Sequence, residues 1–201
     1  MACNYFKRLT MTDPLWFVPV LKIFFFAAAS LPILYISRAA LKKPGSHGFY
    51  RFFAWEAILA LVVLNLDVWF VDPFSWHQLL SWFFLFVSMF LLIQGVELLR
   101  GFGRPDNSRS DSELFALEKT TRLVTTGTYA YIRHPLYSSL LFLAWGAFFK
   151  DITLAGGVLV LLSTVFLIAT ARADEIECIR YFGSAYEAYR KHTKMFIPYL
   201  F

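Results

Sequence analysis

Two polar clusters in this 201-residue chain carry residue types suited to chemistry. The first is Leu123-Val124-Thr-Thr-Gly127-Thr-Tyr129-Ala-Tyr131-Ile-Arg133-His134-Pro135-Leu136-Tyr137. Pro135 suits the first turn of a helix, where its missing N–H is not needed. Arg133 and His134 would then stand at the positive end of a helix dipole, an unfavourable place for two cations unless an anion joins them. That points to a carboxylate or phosphate ligand. Tyr129, Tyr131 and Tyr137 add aromatic faces that could stack on a base or hold a cation. The second cluster is Arg172, Asp174, Glu175 and Glu177, on a helix that Gly183 should terminate. Ser184-Ala-Tyr-Glu187 has the capping-box pattern and predicts a short helix from there to His192. Acids and bases converging near an aromatic pocket would make a catalytic site. The plainer alternative is a juxtamembrane segment with arginines for topology, tyrosines in the interfacial belt and a solvated acidic face.

Other chemistries find no support. There is no His-Glu-x-x-His, no Cys-x-x-Cys and no run of His at ligand spacing, so no metal is expected. Gly101-Phe102-Gly103 follows an apolar span rather than a strand, which removes the dinucleotide-binding reading. Cys3 and Cys178 are the only cysteines and cannot build a disulfide framework; a cytoplasmic Cys178 would stay reduced.

The elements that must position these clusters are membrane spans. Apolar residues make up 58% of the chain and charged residues only 16%, against the roughly 25% charged of a soluble domain. Disorder is excluded by the same balance. A spanning helix needs roughly 20 apolar residues, and the runs 15–37, 52–70, 79–99 and 152–171 meet this. The second run contains Glu56, Asn65 and Asp67, and Lys22 interrupts the first. The run 136–149 is short, and with the last run it predicts a helical hairpin whose first helix begins within the protein. The expected fold is an all-α polytopic membrane protein of about five spans. Lys7 and Arg8 before an apolar run with Ala27-Ala28-Ala29 offer a signal-peptide alternative for the first span, though the run continues past the alanines to Ile36.

With five spans, 15 of the 19 Lys and Arg residues fall on one side, among them Arg38, Arg51, Arg104, Arg109, Lys119, Arg122 and Arg190. The positive-inside bias puts that side in the cytoplasm, together with both polar clusters. The net charge of +5 is therefore read as topology and not as a nucleic-acid surface.

The run Leu-Val-Thr-Thr-Gly-x-Tyr-x-Tyr-x-Arg-His-Pro-x-Tyr, followed by an acidic pair and Phe-Gly-x-x-Tyr-x-x-Tyr, resembles the isoprenylcysteine carboxyl methyltransferase family. That family sits within a wider set that includes the phospholipid N-methyltransferases. The similarity covers Arg122 to Pro198. It implies one membrane-embedded methyltransferase domain, with residues 1–99 as N-terminal spans and 100–201 as the cofactor-binding part. S-adenosyl-L-methionine is the implied cofactor. By position, Leu123, Val124, Tyr129, His134, Pro135, Leu136 and Tyr137 would line its pocket. Asp174 or Glu175, standing for the family's Glu-Glu pair, would contact it. Arg133, Arg172 and Glu175 are the implied catalytic residues. Members that methylate prenylcysteine carry a substrate Arg one turn before the acidic pair; here that position is Thr170, and Arg172 is the nearest Arg.

These residues suit methyl transfer, an in-line displacement in which the enzyme mainly positions two reactants. A zwitterionic cofactor would give Arg133 and His134 a carboxylate and Asp174 or Glu175 an ammonium. A carboxylate acceptor would need only an orienting cation, whereas an amine or thiol would need a base such as Glu175 or Glu177. The expected acceptor is an isoprenylcysteine carboxylate or similar lipid-like molecule entering from the bilayer. Alternatives are a phospholipid, amine or thiol acceptor on the same scaffold, a nicotinamide-dependent sterol-reductase-like relative, or a non-catalytic small transporter using Lys22, Glu56, Asp67 and Glu97.

Overall fold

The computed structural model describes residues 17–103 and 120–200. Cys3, Lys7, Arg8, Arg104, Arg109 and Lys119 lie outside the described residues. The described chain is all-helical: α1 (Phe17–Leu41), α2 (His47–Leu64), α3 (Trp76–Phe102), α4 (Pro135–Phe148), α5 (Leu154–Phe182) and α6 (Ser184–His192). Four of these, α1, α2, α3 and α5, are long and apolar enough to cross a membrane, and α4 is a shorter apolar helix. The chain is thus a polytopic all-α membrane protein, with four full-length spans and α4 as the short first helix of the expected hairpin. At about 1.5 Å per residue, the 14 residues of α4 reach only about 21 Å.

Capping moves several predicted boundaries. Ser46 accepts a hydrogen bond from the Phe49 N–H at 3.2 Å and starts α2 five residues before the expected Phe52, which draws His47 and Arg51 into the helix. The same helix ends at Leu64 and not at Phe70. Asn65 leaves the helical path and donates its side-chain amide to Ala147 O at 2.8 Å, and Asp67 lies in a short 3₁₀ turn. Neither residue is inside a span. Gly183 ends α5 with φ +59°, as its lack of Cβ allows. The capping box expected at Ser184 does not form: Gly183 is the N-cap, so Ser184 is already helical and makes no side-chain cap.

Helix α2 packs most heavily on α5, and α3 on α4. Lipid offers helices no hydrophobic drive to associate, so close approach and hydrogen bonds must supply it. The α3–α4 seam has both. Ser81 donates to Gly146 O and Ser88 to Ser139 O, each at 2.7 Å. A Cβ on Gly146 would lie 2.9 Å from Leu85 Cδ2, so any larger residue would force Leu85 to shift. Helix α1 touches α2 and buries little else. Its Lys22 pairs with Asp67 and donates to Leu64 O at 2.6 Å, and its Ser30 donates to Glu56 of α2.

Candidate functional site

Residues 131–134 have no helix to serve their backbone groups, and the C-terminal segment supplies partners instead. Arg133 N–H donates to Lys194 O at 2.8 Å, and Lys194 N–H returns a bond to Tyr131 O at 3.0 Å. Ser138, one turn into α4, donates its hydroxyl to Phe196 O at 2.9 Å. Pro135 opens α4 as the sequence predicts, with His134 as its N-cap residue. The strap of residues 193–196 thereby fixes the direction in which Arg133 and His134 project.

Both side chains meet the acidic pair of α5. Glu175 Oε1 accepts from Arg133 Nε at 2.7 Å and lies 3.5 Å from His134 Nε2, and Arg190 approaches its other oxygen at 3.6 Å. Asp174 Oδ2 lies 3.4 Å from His134 Nδ1. Arg133 also donates to the carbonyl of Thr193. The His134 ring stacks on Tyr137, with centroids 5.4 Å apart. Burial disfavours an imidazolium, yet the nearby negative charges of Asp174 and Glu175 outweigh it, and the pKa of His134 rises above its usual 6.5.

A cavity of about 510 Å³ opens beside this cluster, within the range of small-molecule sites. Leu123, Val124, Tyr129, Arg133, His134, Leu136, Tyr137 and Asp174 line it, which brings eight predicted site residues to one cavity. Trp55, Leu92, Val96, Leu99 and Leu140 form an apolar wall from α2, α3 and α4. Three predicted residues are absent from the lining. Pro135 is buried in helix packing, and Glu175 stands behind Arg133 and His134 as their anchor. Arg172 is exposed, because two residues along a helix from Asp174 is about 200° round its axis. It is therefore not the cation of this cavity. Thr170, at the position of the family's substrate Arg, is buried and donates to Phe166 O at 2.7 Å.

The structure adds residues that sequence reading missed. Arg51 of α2 lines the cavity at 2% exposure and lies over the Trp55 ring at 5.1 Å. His47, one turn earlier, donates from Nδ1 to Glu177 Oε2 at 2.8 Å, which ties α2 to α5. His47, Asp174 and Glu177 bring possible ligand atoms within 4.8 Å of one another, an arrangement the sequence spacing did not predict. Cys178 lines the cavity, its Sγ 3.8 Å from Asp174 Oδ1. The signal that could have found Arg51 was Ser46, whose N-cap brings residue 51 inside the span.

Fold and site together define an all-helical membrane protein with an interior cavity, apolar on one wall and zwitterionic on the other. The chain has distant homologues named methanethiol S-methyltransferase. Those from Crocosphaera subtropica and Pseudomonas deceptionensis are each 29% identical, over 38% and 36% of this chain and 29% and 27% of the relative. One from a Pseudomonas species is 26% identical over 57% of this chain and 45% of the relative. The chain thus spans less than half the length of the curated relatives it matches. No family model matches the chain, and no solved structure matches it significantly. The homologues are methyltransferases by name.

Proposed function

We propose that this chain transfers a methyl group from S-adenosylmethionine to an apolar thiol at the cytoplasmic end of the helix bundle. One observation carries the reading: a cavity of about 510 Å³ in which the Arg133–His134–Asp174 cluster faces an apolar wall. Two features of the site fit the cofactor. His134 Nε2 is buried with no hydrogen-bond partner that meets good geometry, although Glu175 stands 3.5 Å away, and so has capacity for a ligand acceptor. The donor set also offers both signs of charge, matching a zwitterion. When bound, S-adenosylmethionine would supply an electrophilic methyl on a sulfonium, which an acceptor thiolate or carboxylate would take in line while S-adenosylhomocysteine leaves with the electron pair of the broken S–C bond.

The chain's own residues then have three tasks. His134 and Arg133 hold the ligand carboxylate, and Glu175 fixes both of them without touching it. Asp174 takes the ligand ammonium, and the acceptor enters as its thiolate or carboxylate, the thiol proton having left to water. Trp55, Leu92, Val96 and Leu140 exclude water and receive the apolar part of the acceptor.

A thiol is favoured by the names of the relatives and by Thr170, which offers no cation where a prenylcysteine carboxylate would need one. Arg51 supports the second reading, a lipid-like carboxylate such as isoprenylcysteine, because it places a buried guanidinium in the same cavity. Purified protein given labelled cofactor with either methanethiol or a prenylated N-acetylcysteine separates the two. A labelled volatile thioether supports the thiol and a base-labile methyl ester the carboxylate. No transfer to either, with no binding of S-adenosylhomocysteine, overturns both.

A further inference from the structure

The two tyrosines of the Phe-Gly-x-x-Tyr-x-x-Tyr run lie one turn apart on α6, with ring centroids 5.8 Å apart, and both line the cavity. Their hydroxyls are used differently. Tyr189 donates to Tyr129 O at 2.6 Å, so its hydroxyl is spent on holding the 3₁₀ turn of residues 127–130 in place. Tyr186 is only 3% exposed, yet its hydroxyl has no hydrogen-bond partner among the described residues. A hydroxyl taken out of water without a replacement partner is destabilising, and such groups in native proteins call for a reason.

The surroundings of Tyr186 indicate what that reason is. Burial, reinforced by Cys178, Asp174 and Glu175 and opposed by Arg133, pushes its pKa well above the usual 10. The phenol is therefore a neutral donor at any working pH. Of these neighbours Cys178, Asp174 and Arg133 line the cavity together with Tyr186, and Glu175 stands behind them.

We propose that the Tyr186 hydroxyl is a ligand-binding donor of this cavity, hydrogen-bonded to an acceptor atom of the bound methyl donor. The assignment rests on the reading of the cavity as an S-adenosylmethionine site. Tyr189, one turn along, is the structural member of the pair.

The experiment compares wild type, Tyr186→Phe and Tyr189→Phe in detergent, by calorimetric titration with S-adenosylhomocysteine and by thermal melting without ligand. Tyr186→Phe is expected to bind about tenfold more weakly, the effect of losing one well-placed hydrogen bond. Its ligand-free melting point should equal or exceed that of wild type, since no internal bond is lost. Tyr189→Phe should melt lower. Unchanged affinity in Tyr186→Phe, with wild type binding normally, overturns the assignment and leaves the cofactor reading intact. A lowered ligand-free melting point in Tyr186→Phe makes the residue structural and also overturns it. Wild type that binds no S-adenosylhomocysteine removes the cofactor reading and this role with it.

Discussion

The two ends of the helix bundle bury polar groups to opposite effect. At the end away from the cavity, Lys150 is 1% exposed, donates to Gln78 Oε1 at 3.0 Å and lies 3.6 Å over the Trp82 ring. Gln78 in turn donates to Val68 O and Lys150 O, Asn65 to Ala147 O, and His77 Nδ1 to Phe149 O. The principal polar side chains there are spent on backbone carbonyls or on each other. At the cavity end, Glu175 gathers Arg133, His134 and Arg190, yet Tyr186 Oη, Thr128 Oγ1 and His134 Nε2 keep unused capacity. A closed network locks helices together, while an incomplete one beside a cavity is shaped for a guest.

The largest expected effect breaks the incomplete network at its anchor. Glu175→Ala leaves Arg133 and His134 buried without their carboxylate, which should cost about 3 kcal/mol of stability. The same change should weaken S-adenosylhomocysteine binding at least about 100-fold, because both anion-holding side chains lose their aim. Melting and calorimetric titration read the two effects separately. Intact binding would show that Glu175 does not serve the ligand.

The matching change at the other end is Gln78→Ala, which removes the side-chain carbonyl from Lys150. A hydrogen bond to a charged group contributes about 1.5–3 kcal/mol, so melting should fall clearly while ligand affinity stays at the wild-type value. Loss of affinity in this variant would erase the distinction between the two ends. Gly146→Ala tests packing without charge. The added methyl meets Leu85 Cδ2 at 2.9 Å and should cost about 1–3 kcal/mol through overpacking of the α3–α4 seam.

The cavity end was far more legible in the sequence than the closed end. Arg133, His134 and Pro135 adjoin one another, and helix-end electrostatics asks for an anion beside them, which from sequence reads as a bound carboxylate or phosphate. Asp174 and Glu175, on a helix leaving the membrane, were the available answer, and they lie 3.4–3.5 Å from the imidazole. Arg51 was hidden because a hydropathy run began the span at Phe52, although the Ser46 cap begins it at His47. Arg172 was misplaced for a rotational reason: nearness in sequence to Asp174 put it on the opposite side of α5. The Gln78–Lys150–Trp82 cluster had no local signal, since Lys150 reads as an ordinary loop cation until folding brings α3 against it. Pairings across 72 residues follow from packing, which periodicity within one helix does not encode.

Protons should separate the two ends with opposite sign. At the cavity end, the pKa of His134 in the folded chain lies above its ordinary 6.5. The imidazolium–carboxylate contacts therefore contribute their full stability below about pH 6.5 and lose it as pH rises through the folded value. At the closed end, burial pushes the pKa of Lys150 down from 10.5 to about 8. Between those values the unfolded chain binds more protons than the folded one, so this residue makes stability rise with pH in that window. Each contribution is isolated by subtracting a variant's pH–stability curve from that of wild type. The difference from His134→Gln should shrink as pH climbs above 6.5. The difference from Lys150→Met should move towards favouring wild type as pH climbs above about 8. Ligand affinity should follow the first curve only, because a cationic His134 holds the ligand carboxylate and Lys150 is remote from the cavity. Parallel curves for the two variants would mean that both ends are structural locks of one kind.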